Sequence, residues 1–330
     1  MPNYQLEESV ALEAVVQAAR VCQKVRADLA SEETLIKKDR SPVTVADFSS
    51  QAIISRFLKK NFPNDPLVAE ESASDLMQSG DDFIRERVFE CVRTTERNLS
   101  DEEILQALDG GGYGGGPAGR FWTLDPIDGT KGFLRGEQYA VSLALIENGQ
   151  VVLGVLGCPN YPEDWRRSDS RAGYLFAAKK DQGAYQQKIG DSEKRPIQVS
   201  DVQSPGEAIF CESVESGHSS HSDSKTIAER LGVTNPPLRL DSQCKYAAVA
   251  RGDASIYLRL PTRADYQEKI WDHAAGVIVL EEAGGRATDI HGRPLDFSLG
   301  RTLRGNKGVA AANRRIHGQV VEAVRSVLKP

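Results

Sequence analysis

The sequence predicts a soluble protein of the layered α/β class, and three observations support that prediction. Residues 6–29 carry apolar side chains at helical spacing, which predicts one long amphipathic helix. The middle of the chain contains β-rich runs that pair as two hairpins, 139–146 with 151–156 and 173–178 with 183–185. From about Val199 onward, strand-like and helix-like segments alternate, a pattern typical of an α/β unit.

A second helix and a short strand follow the first helix. We expect Thr44 to cap the second helix, with Asp47 at its third position. The apolar face of this helix is formed by Ile53, Ile54, Phe57 and Leu58. The run Leu67-Val-Ala69 predicts a buried strand, and Glu70 and Glu71 come directly after it. This strand therefore delivers carboxylates at its end.

Residues 72–108 are polar, and we interpret them as an excursion from the core with helical patches at 81–97 and 101–108. Residues 110–119 contain seven glycines in ten positions, which predicts a flexible connector. This run lacks the Gly-Lys-Ser/Thr ending of a phosphate-binding loop, and no helix is predicted after it. We therefore assign it no phosphate-binding role.

The last third of the chain completes the predicted fold. Strands are predicted at 207–211, 237–240, 254–260, 285–288 and 308–312, and helices at 223–231, 244–250, 272–283 and 314–328. A chain of 330 residues usually divides into two domains or forms one large layered unit. We place the boundary between two domains at residues 198 and 199, which gives an N-terminal domain, 1–198, and a C-terminal domain, 199–330.

Composition excludes several classes of function. The chain is 40% hydrophobic and 27% charged, and it has no apolar run near the ~18 residues that a membrane span needs. A net charge of −6 provides no basic surface for nucleic acid. The N-terminus lacks the basic start and apolar core of a signal peptide. Five scattered cysteines without a Cys-x-x-Cys pair indicate reduced thiols. The cytoplasm is therefore the expected location.

The segment 122–133 is the candidate functional centre. Residues 121–124 predict a buried strand, after which Asp125 and Asp128 emerge, with Pro126 fixing the turn between them. Two anions in a partly dry cleft are unfavourable unless a cation neutralises them. Because the ligands offered are oxygens, Mg²⁺ is the favoured metal. The bend is also expected to turn the Ile127 carbonyl toward that cation.

Gly129 and Thr130 follow the two aspartates. If they open a short helix, their backbone N–H groups form a pocket for an anion beside the metal. The alternative is an ordinary surface turn, since Asp, Pro and Gly are common turn formers. The apolar residues on both sides of the motif favour the metal-and-phosphate interpretation.

Three other acidic residues follow or begin predicted elements: Asp47, Glu70 and Asp272, the last within Trp271-Asp-His-Ala-Ala-Gly276. Each has a simpler alternative. Asp47 belongs to a capping box in one interpretation, and Glu70 with Glu71 to a solvated strand end. The simpler alternative for Asp272 is that it stabilises a helix N-terminus through the helix dipole.

Taken together, these motifs resemble those of the inositol monophosphatase-like, lithium-sensitive, magnesium-dependent phosphatases. The shared patterns are Glu-Glu after a strand, Asp-Pro-Ile-Asp-Gly-Thr, and Trp-Asp-x-x-Ala-Gly, and they occur here in that order. Three further runs resemble the 3′(2′),5′-bisphosphate nucleotidase branch, particularly its fungal members. They are Ser-Pro-Val-Thr-Val-Ala-Asp47, Leu-Asp-Ser-Gln-Cys-Lys245 and Tyr266-Gln-Glu-Lys-Ile-Trp-Asp272.

The resemblance implies an alternating α/β/α/β/α sandwich and a specific set of functional residues. The implied metal ligands are Glu70, Asp125, the Ile127 carbonyl, Asp128 and Asp272. Gly129 and Thr130 are implied to receive the scissile phosphate, and Asp47 to act as the base through the Thr130 hydroxyl. Two or three Mg²⁺ ions are expected, with Li⁺ as an inhibitor and Na⁺ as a second candidate inhibitor.

Substrate specificity is implied by weaker signals. A bisphosphate nucleotide carries a second phosphate, which needs cations away from the metals, and Arg can clamp phosphate in a fork. The branch resemblance selects Ser242, Lys245 and Arg259 for this role, His218 as a nucleotide contact and Asp272 as a substrate neighbour. Without the resemblance, Lys245 and Arg259 are more readily interpreted as solvated or paired charges.

The expected function is hydrolysis of the 3′-phosphate of adenosine 3′,5′-bisphosphate to AMP, and of its sulfated relative. This substrate is a small molecule, and neither nucleic acid nor membrane is an expected partner. One alternative is an inositol monophosphatase or inositol polyphosphate 1-phosphatase on the same scaffold. Another is a magnesium-dependent nucleotide sensor without turnover, which the intact Asp47 and Thr130 argue against.

Overall fold

Two β-sheets form the frame of the molecule. A computed structural model describes residues 3–31, 41–78, 81–167, 172–214, 221–263 and 265–328. The first sheet runs in chain order through β1 (Leu67–Ala69), β2 (Arg120–Asp128), β3 (Ala140–Glu147), β4 (Gln150–Cys158), β5 (Tyr174–Lys179), β6 (Ala184–Lys188) and β7 (Arg195–Pro196). The second has the order β11-β12-β10-β8-β9, formed by β8 (Phe210–Glu212), β9 (Leu238–Arg239), β10 (Ile256–Arg259), β11 (Gly285–Thr288) and β12 (Val309–Asn313).

Helices cover both faces of the two sheets. In the described residues they are α1 (Gln5–Ser31), α2 (Ser41–Asn61), α3 (Ala73–Gln78), α4 (Asp82–Arg93), α5 (Asp101–Asp109), α6 (Thr130–Arg135), α7 (His221–Arg230), α8 (Cys244–Arg251), α9 (Ala274–Glu282) and α10 (His317–Val327). None of these helices is long and apolar enough to cross a lipid bilayer.

Alternating side chains on the strands show how the layers are stacked. On β2, Trp122 and Leu124 pack into the core that contains α1 and α2, whereas Phe121 points into the core that contains α8 and α9. On β12, Ala311 faces α8 and α9, and Ala312 faces α7 and α10. The order of layers is therefore α/β/α/β/α, which confirms the predicted sandwich.

Small residues allow α9 to lie close to the first sheet. A Cβ atom added at Gly154 of β4 would be 2.4 Å from Cγ2 of Ile278 in α9. A Cβ atom at Gly276 would be 2.3 Å from the Tyr246 ring of α8. A larger side chain at Gly154 would force α9 away from the first sheet, and one at Gly276 would force α9 away from α8. This packing holds the beginning of α9, and Asp272 just before it, against the end of the first sheet.

The sequence-based prediction of the start of α2 is wrong. This helix begins at Ser41, so Thr44 lies within its first turn and does not cap it. Pro42 is tolerated at the second helical position because the first backbone N–H groups of a helix lack intrahelical partners. Asp47 therefore lies in the second turn of α2, where it is buried.

The backbone of the glycine-rich segment is held by hydrogen bonds and is not the flexible connector that the sequence predicted. The Ala69 N–H donates to Gly111 O at 2.9 Å, and the Tyr113 N–H donates to Leu67 O at 3.0 Å. A Cβ atom at Gly111 would be 2.8 Å from the Ala69 Cβ, so glycine is what permits this approach. Residues 111–113 thus extend the edge of the first sheet beside β1.

Other predicted elements are present with shifted ends. The strand predicted at 207–211 is observed at Phe210–Glu212, and the helix predicted from residue 272 begins at Ala274. The first sheet ends at Pro196 and the second begins at Phe210. All five cysteines are free and buried.

Candidate active site

Four of the predicted acidic residues, Glu70, Asp125, Asp128 and Asp272, converge in one cleft of about 650 Å³. Strands β1 and β2 are parallel, with Ala69 beside Leu124, so Glu70, which follows β1, lies next to Asp125 of β2. The predicted site residues that line the cleft are Glu70, Asp125, Ile127, Asp128, Gly129, Thr130, Ser242, Lys245, Arg259 and Asp272. They come from both halves of the chain, which explains why the site is formed only when the layers pack.

Strand β2 does not end before the aspartates, as the sequence suggested, but continues to Asp128. Opposite β3, Asp125 pairs with Ser142 and Asp128 with Ala140, so β2 has one extra residue between the paired positions. Pro126 lies in this bulge, where its missing N–H costs no ladder bond. Its carbonyl accepts a hydrogen bond from the buried Ser50 hydroxyl at 3.0 Å. The bulge therefore re-aims the carboxylate of Asp128.

Gly129 leads from the bulge into α6 with a φ of 88°, a left-handed conformation that favours glycine. A Cβ atom at this position would also be 2.8 Å from the Ser242 Cβ. Ser242 itself has a φ of 66° and is buried, a conformation that costs free energy in a residue with a side chain. The two segments meet closely here, and this brings Lys245 to the cleft.

The carboxylates repel one another. Asp125 is 3% exposed, and burial, followed by the charges of Glu70 and Asp128, raises its pKa well above the usual value. Glu70 is open to the cleft, yet the surrounding protein and the Asp272 charge raise its pKa to about 8. Burial raises the pKa of Asp272 to about 6, although Arg259 acts in the opposite direction. A bound cation would relieve this repulsion.

The donor set of the cleft fits Mg²⁺. Oδ1 of Asp125 is buried and accepts no hydrogen bond from the described residues, which is unfavourable for a carboxylate unless a cation meets it. Carboxylates and the Ile127 carbonyl supply only oxygen ligands, and neither histidine nor cysteine lines the cleft within the described ranges. Oxygen ligands of this kind suit a hard divalent cation.

Asp47 lies behind the cleft and does not line it. Its side chain is buried, and burial, then the charges of Glu71 and Glu70, raise its pKa well above the usual value. Its charge in turn contributes to the raised pKa of Asp125. The hydroxyl of Thr130 donates to Ile127 O at 3.5 Å, which is a long hydrogen bond.

Two residues of α2 that support the site were missed by the sequence analysis. Ser50 holds Pro126, as described above, and Gln51 binds the backbone of Glu71 on both sides. The Gln51 Nε2 donates to Glu71 O at 2.6 Å, and the Glu71 N–H donates to Gln51 Oε1 at 2.9 Å. Both lie about one helical turn after Asp47, on the same face of α2. Helical spacing places Ser50 and Gln51 on the same buried face of α2 as Asp47, and polar residues on a buried face are the signal that could have identified them.

Gln243 was also not predicted, although it lies within the motif Leu-Asp-Ser-Gln-Cys-Lys245. Its backbone N–H donates to Asp128 Oδ2 at 2.5 Å. Its side chain donates to Trp271 O at 2.8 Å and accepts from the Gly276 N–H at 3.0 Å. Gln243 therefore joins Asp128, the backbone before Asp272 and the first turn of α9.

Arg259 is paired with carboxylates in the structure. Its Nε lies 2.8 Å from Glu268 Oε2, and its Nη2 lies 3.3 Å from Asp272 Oδ2. Glu268 also contacts the buried His273 ring at 3.2 Å. Glu268, Asp272 and His273 are close enough to offer ligands to a metal, but Arg259 already compensates Glu268. We therefore interpret this group as a support that orients Asp272.

Lys245 has weaker polar contacts than Arg259, the other cation predicted to bind the second phosphate. It is 5% exposed, and burial lowers its pKa while the charge of Asp128 opposes that change. Its Nζ donates to Leu240 O at 3.5 Å and lies 5.3 Å from the Tyr257 ring centroid. No carboxylate of the described residues forms an ion pair with it. His218, the predicted nucleotide contact, lies outside the described residues.

A wider groove of about 800 Å³ lies between the β6–β7 edge and the end of α9. Its carboxylates are Asp201 and Glu282. Glu282 accepts hydrogen bonds from three backbone N–H groups at residues 181–183, so it serves the β5–β6 turn. This groove lacks the acidic cluster, and the smaller cleft is the candidate active site.

The chain is similar to proteins of one family over nearly its whole length. A family model described as the inositol monophosphatase family matches residues 4–329. A protein of Schizosaccharomyces pombe named 3′(2′),5′-bisphosphate nucleotidase is 45% identical over 98% of this chain and 96% of its own. The protein of that name from Emericella nidulans is 46% identical over 99% of both chains. One from Arabidopsis thaliana, named 3′(2′),5′-bisphosphate nucleotidase 1, is 48% identical over 98% and 96%.

Solved structures show the same fold at lower identity. An inositol monophosphatase from Anabaena superposes with a TM-score of 0.62 at 22% identity, covering 98% of this chain and 97% of its own. An inositol monophosphatase from Zymomonas mobilis superposes with a TM-score of 0.64 at 19% identity, covering 98% and 100%. These likenesses establish the layered architecture over nearly the full length.

Proposed function

The chain belongs to the inositol monophosphatase family, and from this premise we propose that it is a 3′(2′),5′-bisphosphate nucleotidase. It removes the 3′-phosphate of adenosine 3′,5′-bisphosphate to give AMP and phosphate, and acts in the same way on 3′-phosphoadenylyl sulfate. The observation that carries this proposal is the oxygen-lined cleft, with buried Asp125 at its base, in a chain 42–48% identical to proteins of that name. We place the activity in the cytoplasm, in keeping with five free thiols.

Proteins of this family are metal-dependent, typically with Mg²⁺. We assign two or three Mg²⁺ ions to Glu70, Asp125, the Ile127 carbonyl, Asp128 and Asp272. When bound, such ions lower the pKa of a water molecule and stabilise the charge that develops on the attacking and departing oxygens. Li⁺ is assigned as an inhibitor that occupies one of these metal positions, and Na⁺ is a second candidate inhibitor.

The protein's own groups orient the phosphate and take up the proton. Gly129 and Thr130 lie at the mouth of the cleft, where we assign their N–H groups to the phosphate oxygens. Asp47 is assigned as the proton acceptor, reached through the Thr130 hydroxyl. The long hydrogen bond from that hydroxyl to Ile127 is weak enough to be exchanged when substrate binds. The raised pKa of Asp47 is consistent with a proton-accepting role.

Substrate choice is assigned to the opposite wall of the cleft. Lys245 has donors free for the second phosphate, and Ser242 lies beside Gly129. Arg259 is held by Glu268 and Asp272, so it contributes positive charge and orients Asp272 near the substrate. His218 remains a proposed nucleotide contact.

A phosphate-release assay tests the proposal. We expect adenosine 3′,5′-bisphosphate to be hydrolysed with a kcat/KM at least about 100-fold above that of inositol 1-phosphate or inositol 1,4-bisphosphate. Activity should require Mg²⁺ and fall when Li⁺ is added. A preference for the inositol phosphates would assign the chain to the other main activity on this scaffold, and binding without phosphate release would indicate a nucleotide sensor.

Lys245→Ala should discriminate between substrates with and without a second phosphate. Loss of a charge-assisted hydrogen bond costs about 1.5–3 kcal/mol, so we expect kcat/KM for the bisphosphate to fall about 10-fold to 100-fold. Hydrolysis of p-nitrophenyl phosphate, measured in parallel, should change by less than about threefold. Lys225→Ala, which removes the same charge from exposed α7, is the control. Equal losses on both substrates would contradict the assignment.

A further inference from the structure

Arg301 connects the strand before Glu70 to the adjacent glycine-rich segment. Its guanidinium donates to Ala69 O at 2.5 Å and to Gly111 O and Tyr113 O, both at 3.1 Å. Ala69 is the residue immediately before Glu70. The three carbonyls belong to β1 and to the segment that extends the sheet beside it. Arg301 thus fixes the backbone from which the Glu70 carboxylate projects.

The same guanidinium lies against the residue before Asp272. The Cζ atom of Arg301 is 4.8 Å from the centroid of the Trp271 ring, within the range of a cation–π contact. Backbone hydrogen bonds join the two segments as well. The Ile270 N–H donates to Arg301 O at 3.2 Å, and the Leu303 N–H donates to Glu268 O at 2.8 Å.

The chemistry of this position requires an arginine. A planar guanidinium presents donors in a fixed fork and stacks on an aromatic ring at the same time, which a lysine ammonium cannot do. Within the described residues, no carboxylate forms an ion pair with Arg301, so its donors serve the backbone. A Cβ atom at Gly115 would be 3.0 Å from the Gly300 carbonyl carbon. The glycines therefore allow the backbone before Arg301 to approach the glycine-rich segment.

Glu70 and Asp272 line the same cleft, where two like charges repel each other. One is supplied by the end of the first sheet, and the other by the segment before α9. Resting on the proposed function for the identity of the ion, we propose that Arg301 is a positioning residue that fixes the spacing of Glu70 and Asp272 and so sets the Mg²⁺ affinity. Arg301 is not among the residues that line the cleft, and it acts through Ala69 and Trp271.

Calorimetric titration of Mg²⁺ into the full-length protein tests this role. We expect Arg301→Ala to raise the Kd for Mg²⁺ about 10-fold to 100-fold, the range found when groups that orient metal ligands are removed. The Mg²⁺-induced rise in Tm should shrink in parallel. At saturating Mg²⁺, kcat and the nucleotide KM should stay within about threefold of wild type. Arg304→Ala, an exposed arginine of the same loop, is the control and should leave the Mg²⁺ affinity unchanged.

Arg301→Lys keeps the charge and provides a second variant in case the alanine variant does not fold. It should show the same weakening of Mg²⁺ binding to a smaller degree. Unchanged Mg²⁺ affinity in a folded variant would overturn the proposal. A loss of kcat at saturating Mg²⁺ with normal Mg²⁺ affinity would also overturn it. The calorimetric result is independent of which phosphate ester is hydrolysed, so failure of the proposed substrate remains distinguishable from failure of the positioning role.

Discussion

Asp125→Asn should abolish turnover and leave the protein folded. The carboxylate is buried at the base of the cleft, with Oδ1 free of hydrogen bonds from the described residues. An amide is nearly isosteric but carries no charge to hold a divalent cation. We expect kcat to fall at least about 10³-fold, which corresponds to about 4 kcal/mol of transition-state stabilisation. Phosphate release at saturating nucleotide measures this change.

In Mg²⁺-free buffer, Asp125→Asn should not lower the stability of the protein. Removing one charge from the repelling cluster of Glu70, Asp128 and Asp272 should keep the Tm equal to or above that of wild type. Added Mg²⁺ should stabilise wild type and fail to stabilise the variant. Asp82→Asn, at an exposed position on α4, controls for the loss of a carboxylate. Normal turnover by Asp125→Asn would refute the metal assignment.

Asp47→Asn should also lose turnover, but it should keep Mg²⁺ binding. Asp47 is buried on α2 and does not line the cleft, so the role that we propose for it is that of a proton acceptor and not of a metal ligand. Removing a general base typically costs about 10²-fold to 10⁴-fold in rate, and we expect kcat to fall within that range. The Mg²⁺-induced rise in Tm should match that of wild type. Comparison of this rise in the Asp47 and Asp125 variants separates the two roles.

Two outcomes would count against the role of Asp47. Loss of Mg²⁺ stabilisation in Asp47→Asn would make it part of the metal site. Retained kcat would mean that the proton leaves by another route. Ser50→Ala, one turn further along α2, serves as a packing control, because it removes the hydrogen bond to Pro126 without removing a carboxylate. Its kcat should fall by less than that of Asp47→Asn.

Local patterns were sufficient to predict most of the fold. The helical spacing of residues 6–29 appears as α1, and the Asn148-Gly149 turn joins β3 to β4 as expected, with both residues at positive φ. Errors occurred where local rules compete. A Ser/Thr cap signal at Thr44 gave way to a helix that begins at Ser41, and the strand before Asp125 continued through a bulge. Sequence spacing does not reveal the bulge, because the bulge is supported by a tertiary partner, Ser50.

The site was predictable where a carboxylate lies at the end of a strand, as with Glu70 after β1 and Asp128 at the end of β2, because neighbouring strand ends share one edge of a sheet. The residues that hold these carboxylates were not predictable in the same way. Gln243 and Arg301 are separated from their partners by 28 residues or more, and their contacts exist only after the layers have packed. The ion pair between Arg259 and Glu268 was not predicted either, because it depends on the final geometry.

The cleft is assembled from both halves of the chain, so the residues to which we assign hydrolysis are largely separate from those to which we assign recognition. Asp47, Glu70, Asp125 and Asp128 belong to the first sheet and its covering helix, whereas Ser242 and Lys245 belong to the second half. A chimaera that keeps the first sheet, Asp272 and Arg301, and exchanges the wall around α8, should therefore retain phosphatase chemistry while accepting a different alcohol moiety. The architecture allows new substrate preferences to evolve by divergence of one wall without rebuilding the reaction centre.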